Sequence, residues 1–205
     1  LKPTTGALSR TGVVPISGSL DTTGPMARSV ADVIILFNAM TGYDQRDTAM
    51  PMMSDDLRLE HRDQSMAGLR LGALGRYLDD ELFVEALGLL SADEAAIVEI
   101  SLPEIDTQGF GTLLGREMVR DLALYLRDHA SPMVMIDSVD DLQAFNLQRP
   151  DLRMPYGQAE VDRMVELDIS PAELEALRES LQSDARAAME ALFAGGDLDL
   201  LLSMD

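Results

Sequence analysis

The chain of 205 residues carries 16 basic and 36 acidic side chains, a formal charge of −20, with an ordinary 46% hydrophobic content. A field of that sign repels phosphate backbones and anionic lipid heads, so neither nucleic acid nor a membrane surface is expected as a partner. Cysteine is absent, which excludes disulfides, thiolate metal sites and cysteine nucleophiles.

The first 29 residues include 16 of type Gly, Pro, Ser or Thr. Proline fixes φ, glycine frees it, and short hydroxyls bond nearby backbone, so this stretch reads as a loop that packs against other structure. Gly24-Pro25 ends it. Val30, Val33, Ile34, Phe37 and Met40 then recur at helical period, predicting a buried helix that stops at Gly42. Arg28 and Asp32, four apart, are expected to pair along it.

Residues 43–67 are polar and methionine-rich and read as a surface excursion, with a helical turn near residues 55–60. LRLGAL (69–74) between two glycines reads as a buried strand, residues 79–90 as a helix, and AAIVEISL (95–102) as a second strand ended by Pro103. Strand, helix and strand at this spacing predict a βαβ unit with a parallel pair. Residues 110–129 read as a long helix. Ser138 with Asp141 forms a weak capping box, and residues 149–156, holding Pro150 and Pro155, read as a loop. Ser170, Pro171 and Glu173 give the clearest helix start: N-cap, N1 proline and N3 glutamate. That helix is expected to stop at Gly195-Gly196, followed by a strand over 198–202.

The pattern LKPT-x-G-x-x-S-R-x-G-x-x-P-x-S, then D-T-x-G-P-M-A-R-x-V-x-D, closely resembles the amidase signature family. It is carried by residues 1–6, Ser9, Arg10, Gly12, Pro15, Ser17, Asp21, Thr22, residues 24–28, Val30 and Asp32. E-x-x-x-x-L-x-x-Y-L at Glu117, Leu122, Tyr125 and Leu126 is similar to the matching helix of peptide-amidase-type members. Met204 and Asp205 stand where many members have Pro and Thr.

The resemblance implies an α/β fold, a mixed sheet flanked by helices on both faces, of which residues 1–205 are a partial domain. It implies hydrolysis of amide C–N bonds. A serine attacks the carbonyl, a lysine acts as base through a cis-serine, and water releases the acid from an acyl-enzyme. In the family that triad precedes the LKPT segment, so no catalytic residue is expected in this chain, and this chain alone is expected to be inactive. Neither cofactor nor metal is implied. Its opening in mid-motif and its closing on an apolar run read as both ends cut. The expected partners are a small-molecule amide or peptide amide substrate and the remaining N-terminal half of the same domain. A cytoplasmic location is the expectation. The alternatives are a non-catalytic interaction module and a subunit of a tRNA-dependent amidotransferase.

Four residues are candidates for substrate contact: Asp21 and Thr22, because the loop follows the family's catalytic segment, and Glu117 and Tyr125, because they share one side of their helix. Each has a plainer reading. Asp21 can lock its own loop by accepting backbone N–H bonds, and Glu117 can be a buried polar anchor. Ser17, Ser19, Thr22 and Thr23 lack a histidine that could activate a nucleophile. Lys2 is not the family's base and reads as structural or ion-pairing. His61 and His129 are far apart in polar surroundings and do not read as a metal site.

Overall fold

The computed structural model describes residues 1–50, 57–62 and 65–204, in the element order α1 Val30–Met40, β1 Arg70–Leu74, α2 Glu81–Ala92, β2 Ala96–Ile100, α3 Phe110–His129, α4 Val139–Leu147, α5 Pro150–Arg153, α6 Ala159–Glu166, α7 Pro171–Gly196 and β3 Leu200–Leu202. The chain divides into two units. The first holds Leu1–His61 and Gly109–Glu175; the second holds Arg62–Gln108 and Ala176–Asp205.

The second unit is built on a parallel sheet of order β2-β1-β3. Strand β1 is central and nearly all buried, as a short apolar run bounded by glycines dictates. The βαβ reading holds: β1 pairs with β2 in parallel, Leu71 opposite Ile97. Asp80 caps α2, its Oδ1 accepting from the backbone N–H groups of Leu82 and Phe83 at 2.9 and 3.0 Å. Phe83 and Leu87 of that helix close on Ala73, with Tyr77 edge-on to Phe83 at 5.8 Å between ring centres.

Both helices that feed this sheet end in a left-handed residue that is not glycine. Glu94 has φ 64°, and the N–H of Ala95 reaches back to the Leu90 carbonyl at 3.2 Å. Asp197 has φ 49°, with Leu198 N–H on the Phe193 carbonyl at 2.9 Å. These are Schellman ends. Helix α7 thus ends at Gly196, where the sequence places its stop, and the left-handed residue that closes the motif is Asp197 just beyond. At Gly196 the requirement is space, since a Cβ there would lie 2.7 Å from Leu198 Cγ. An L-residue in the left-handed region costs about 1 kcal/mol, so Glu94→Gly is expected to raise stability by roughly that amount in urea unfolding. An unchanged midpoint would contradict this account of the cap.

The first unit packs helices on irregular chain. Helix α3 runs over the predicted residues. Its Gly115 lets α6 approach closely, a Cβ there lying 2.7 Å from Leu167 Cδ1. Ser138 caps α4 by accepting from Asp141 N–H at 3.1 Å. Ser170 and Glu173 form the reciprocal capping box ahead of α7, with Ser170 N–H on Glu173 Oε2 at 2.9 Å.

Four readings change. Residues 149–156 are not all loop: Pro150 sits at N1 of the one-turn α5, where a missing N–H costs nothing. Helix α6 had no counterpart in the sequence reading, because it has neither a capping side chain nor an apolar run. Asp32 lies in the first turn of a helix that starts only at Val30. Arg28 therefore precedes the N-cap Ser29, and Asp32 bonds Ser29 Oγ at 2.8 Å instead of pairing with Arg28. Finally, α1 is not a buried helix within these residues. Phe37 is buried and Val33 and Ile34 are half-buried, while Val30 is 69% exposed. Of the expected helical turn at 55–60, residues 57–60 are irregular and the rest lies outside the described residues.

Candidate functional site

Arg10 organises the opening loop. Its Nε and Nη2 donate to both oxygens of Asp47 at 3.0 and 2.8 Å, its own N–H donates to Asp47 at 2.9 Å, and Nη1 donates to the Gly18 carbonyl at 2.6 Å. The side chains are 14% and 4% exposed, so the pair is desolvated and its geometry decides its worth. Hydrogen bonding from Arg10 holds the Asp47 carboxyl below its ordinary value. Nearby, Arg46 grips Asp44 in the same bidentate way and lowers that carboxyl too.

The loop that Arg10 grips is also gripped by α3. Glu117 is 2% exposed. Its Oε2 accepts from Ser17 Oγ, from Ser19 Oγ at 2.7 Å and from Ser19 N–H at 3.3 Å. One helical turn on, Asp121 Oδ2 accepts from Gly18 N–H at 2.7 Å, and Arg120 forks onto Asp121 at 2.6 and 3.0 Å. Within the loop, Asp21 Oδ2 accepts from the N–H groups of Ile16 and Ser17 at 2.8 and 2.9 Å. A Cβ on Gly18 would stand 2.8 Å from Asp121 Oδ2. Gly18→Ala is therefore expected to cost about 1–3 kcal/mol through overpacking, read as a lowered melting temperature. A melting temperature unchanged by the substitution would mean that the loop is not held as described.

This clamped loop, the turn at 46–48 and α3 line a cleft of about 680 Å³. Arg10, Asp21, Asp47, Arg120, Asp121, Leu124, Tyr125 and His129 contribute to its walls. Tyr125 and His129, one turn apart, pack with ring centres 5.1 Å apart and ring planes inclined at 43°. The cleft therefore offers alternating charges and one aromatic wall. Arg10 and Arg120 each have a carboxylate already in their forks.

The four candidate residues divide. Asp21 and Tyr125 line the cleft. Glu117 lies behind the loop, with Ser17 and Ser19 as partners. Thr22 Oγ1 donates to the Pro3 carbonyl at 3.1 Å and ties the loop to the opening segment, as Thr23 Oγ1 does to the Ser9 carbonyl at 3.2 Å. Ser17 is fully buried, so no substrate reaches its hydroxyl. Lys2 is exposed and forms no ion pair among the described residues. No group of three or more His, Asp or Glu side chains able to hold a metal occurs among the described residues. Nor is any helix among them long and apolar enough to cross a membrane. Asp47, Asp121 and His129 were not legible as cleft residues, because nothing local marks a partner tens of residues away.

The family whose description is Amidase matches residues 1–202. Among curated relatives, a glutamyl-tRNA(Gln) amidotransferase subunit of Nitrosomonas eutropha is 36% identical over 104 residues, 51% of this chain and 20% of that protein. The same amidotransferase subunit of Neisseria meningitidis serogroup B is 31% identical over 134 residues, 61% of this chain and 28% of that protein. The matched part of the chain thus spans 20% to 28% of the length of these relatives. Among solved structures, the peptide amidase of Stenotrophomonas maltophilia superposes with a TM-score of 0.75 at 31% identity, over 97% of this chain and 43% of that one. An amidase family protein of Bacillus anthracis superposes with a TM-score of 0.83 at 27% identity, over 98% of this chain and 41% of that one.

Proposed function

We propose that this chain, which belongs to the amidase family, is part of an enzyme that hydrolyses the C–N bond of a small-molecule or peptide amide. The observation that carries the reading is the family match along residues 1–202, and the peptide-amidase likeness over 97% of the chain supports it. In this reading the serine, cis-serine and lysine lie outside these 205 residues, which form a partial amidase domain acting in the cytoplasm. Asp21 and Tyr125 form walls of the substrate cleft. Glu117 and Thr22 hold the loop from which Asp21 projects. The packed, tilted Tyr125–His129 pair suits an apolar or aromatic group flanking the amide.

The test is steady-state hydrolysis of a peptide amide by the intact product of the gene. Tyr125→Ala is expected to raise KM about tenfold with kcat within twofold, the mark of lost uniform binding. An unchanged KM would remove Tyr125 from the site. Absence of ammonia release from any amide would remove the reading itself.

The sequence relatives favour a second reading, in which the chain is part of a tRNA-dependent amidotransferase. It predicts ammonia from free glutamine, passed to a charged tRNA, and no hydrolysis of peptide amides. The two substrates assayed side by side separate the readings.

A further inference from the structure

The charges that line the cleft cancel in pairs, with one exception. Arg10 holds Asp47 in its fork, Arg120 holds Asp121, and Arg46 holds Asp44. Asp128 is itself held by Arg127 at 2.7 and 2.9 Å. Each guanidinium thus spends its bidentate geometry on a carboxylate, and none is left to fork onto an anionic substrate group. Asp21 is the exception. Its Oδ2 accepts from the N–H groups of Ile16 and Ser17, which satisfy hydrogen bonding without supplying a full positive charge. Its Oδ1 has no hydrogen-bond partner among the described residues. Arg10 Nη1 reaches the backbone carbonyl of Asp21, at 3.4 Å, and not its carboxylate. Over the whole wall, three arginines stand against four aspartates.

A carboxylate with one open oxygen in a concave, partly desolvated cleft attracts a cation that brings its own N–H donors. Leu124 and the packed Tyr125–His129 pair line the same cleft. Such a wall suits the methylene stem of a cationic group, and an aromatic face also attracts its charged end. We infer that the cleft selects amides bearing a positively charged nitrogen group, with Asp21 as its counter-ion and Leu124 and Tyr125 along its stem. The inference rests on the hydrolase reading above and adds the charge of the substrate.

The test uses the intact gene product at pH 7 and low ionic strength, where charge is least screened. Two pairs of amides each differ by one charge. N-acetyl-lysine amide against N-acetyl-norleucine amide places the cation on a side chain, and leucine amide against N-acetyl-leucine amide places it on the α-nitrogen. In one pair kcat/KM is expected to favour the charged member by about tenfold or more, and that pair identifies the position the cleft takes. Asp21→Asn keeps an acceptor oxygen for the Ile16 and Ser17 N–H groups but removes the charge, so its ratio is expected to fall within about twofold of one. Leu124→Lys, on α3 and away from the loop, brings a competing ammonium into the cleft and is expected to lower the ratio in the same way, whether or not Asp21→Asn folds. Asp128→Asn removes a carboxylate that Arg127 already holds and is expected to keep the wild-type ratio, which separates Asp21 from the general acidic field. Wild-type ratios near one in both pairs overturn the inference. So does a preference that survives Asp21→Asn or Leu124→Lys, or one that Asp128→Asn removes as fully. If no amide is hydrolysed, the proposed function fails, and calorimetric Kd values for the same pairs decide the cation site separately: a preference of about tenfold upholds it, and equal values overturn it.

Discussion

Replacing Glu117 by Leu is expected to cost the fold about 3–5 kcal/mol, the largest loss from any single side chain of the loop region. The carboxylate is buried on α3 and is the acceptor for the hydroxyls of Ser17 and Ser19 and for the Ser19 N–H, about a hundred residues away in sequence. Leucine fills much of the same volume but leaves the fully buried Ser17 hydroxyl with only the long 3.3 Å contact to Ser19 Oγ. The stronger penalty is this desolvated donor, more than the lost attraction. Glutamine retains one acceptor oxygen, so Glu117→Gln is expected to lose only about 1–2 kcal/mol. Pairing Glu117→Leu with Ser17→Ala should recover part of the loss, since the orphaned hydroxyl goes with it. Urea unfolding of the wild-type chain, Glu117→Leu, Glu117→Gln, Ser17→Ala and the Glu117→Leu/Ser17→Ala double variant measures all of this. Strictly additive losses would show that the two groups do not act through each other.

Breaking the Arg10–Asp47 pair is the second large effect. Either Arg10→Ala or Asp47→Asn is expected to cost about 3 kcal/mol at pH 7, because the partner left behind is a buried, unpaired ion or amide. The pair also sets a pH dependence. Hydrogen bonding to Arg10 lowers the Asp47 carboxyl below its ordinary 3.8 in the folded state. The contribution is therefore complete above that value and is lost as pH falls toward the folded-state value, where the carboxylate takes up a proton. The wild-type chain is expected to lose stability progressively as pH falls below about 5. The Asp47→Asn variant should show a shallower slope over the same range. Parallel slopes in the two proteins would place the acid sensitivity elsewhere.

The sequence was most legible where a structure is specified locally. Ser170, Pro171 and Glu173 start α7 because capping chemistry acts within one turn, and the strand–helix–strand spacing gave the parallel pair of β1 and β2. The length of α3 followed from its apolar period. Two kinds of feature did not show. Helix α6 has no capping side chain, only half of its eight residues are apolar, and its packing against α3 and α4 could not be read from so short a stretch. The cleft was hidden for a related reason. Asp21 and Tyr125 were singled out from the family pattern and prove to share one cleft, whereas Arg10 and Asp47 meet across 37 residues with no local signal joining them. The apolar period of α1 was legible, but its burial was not, since period gives the faces of a helix and says nothing of what covers each one.

The most direct test of the functional account is ammonia release from a C-terminal peptide amide, measured for the intact gene product and for the 205-residue chain, with the acid product weighed by mass spectrometry. The account predicts equal amounts of ammonia and acid from the intact product and none from the 205-residue chain. Release by the 205-residue chain itself, or none from the intact product, would contradict it.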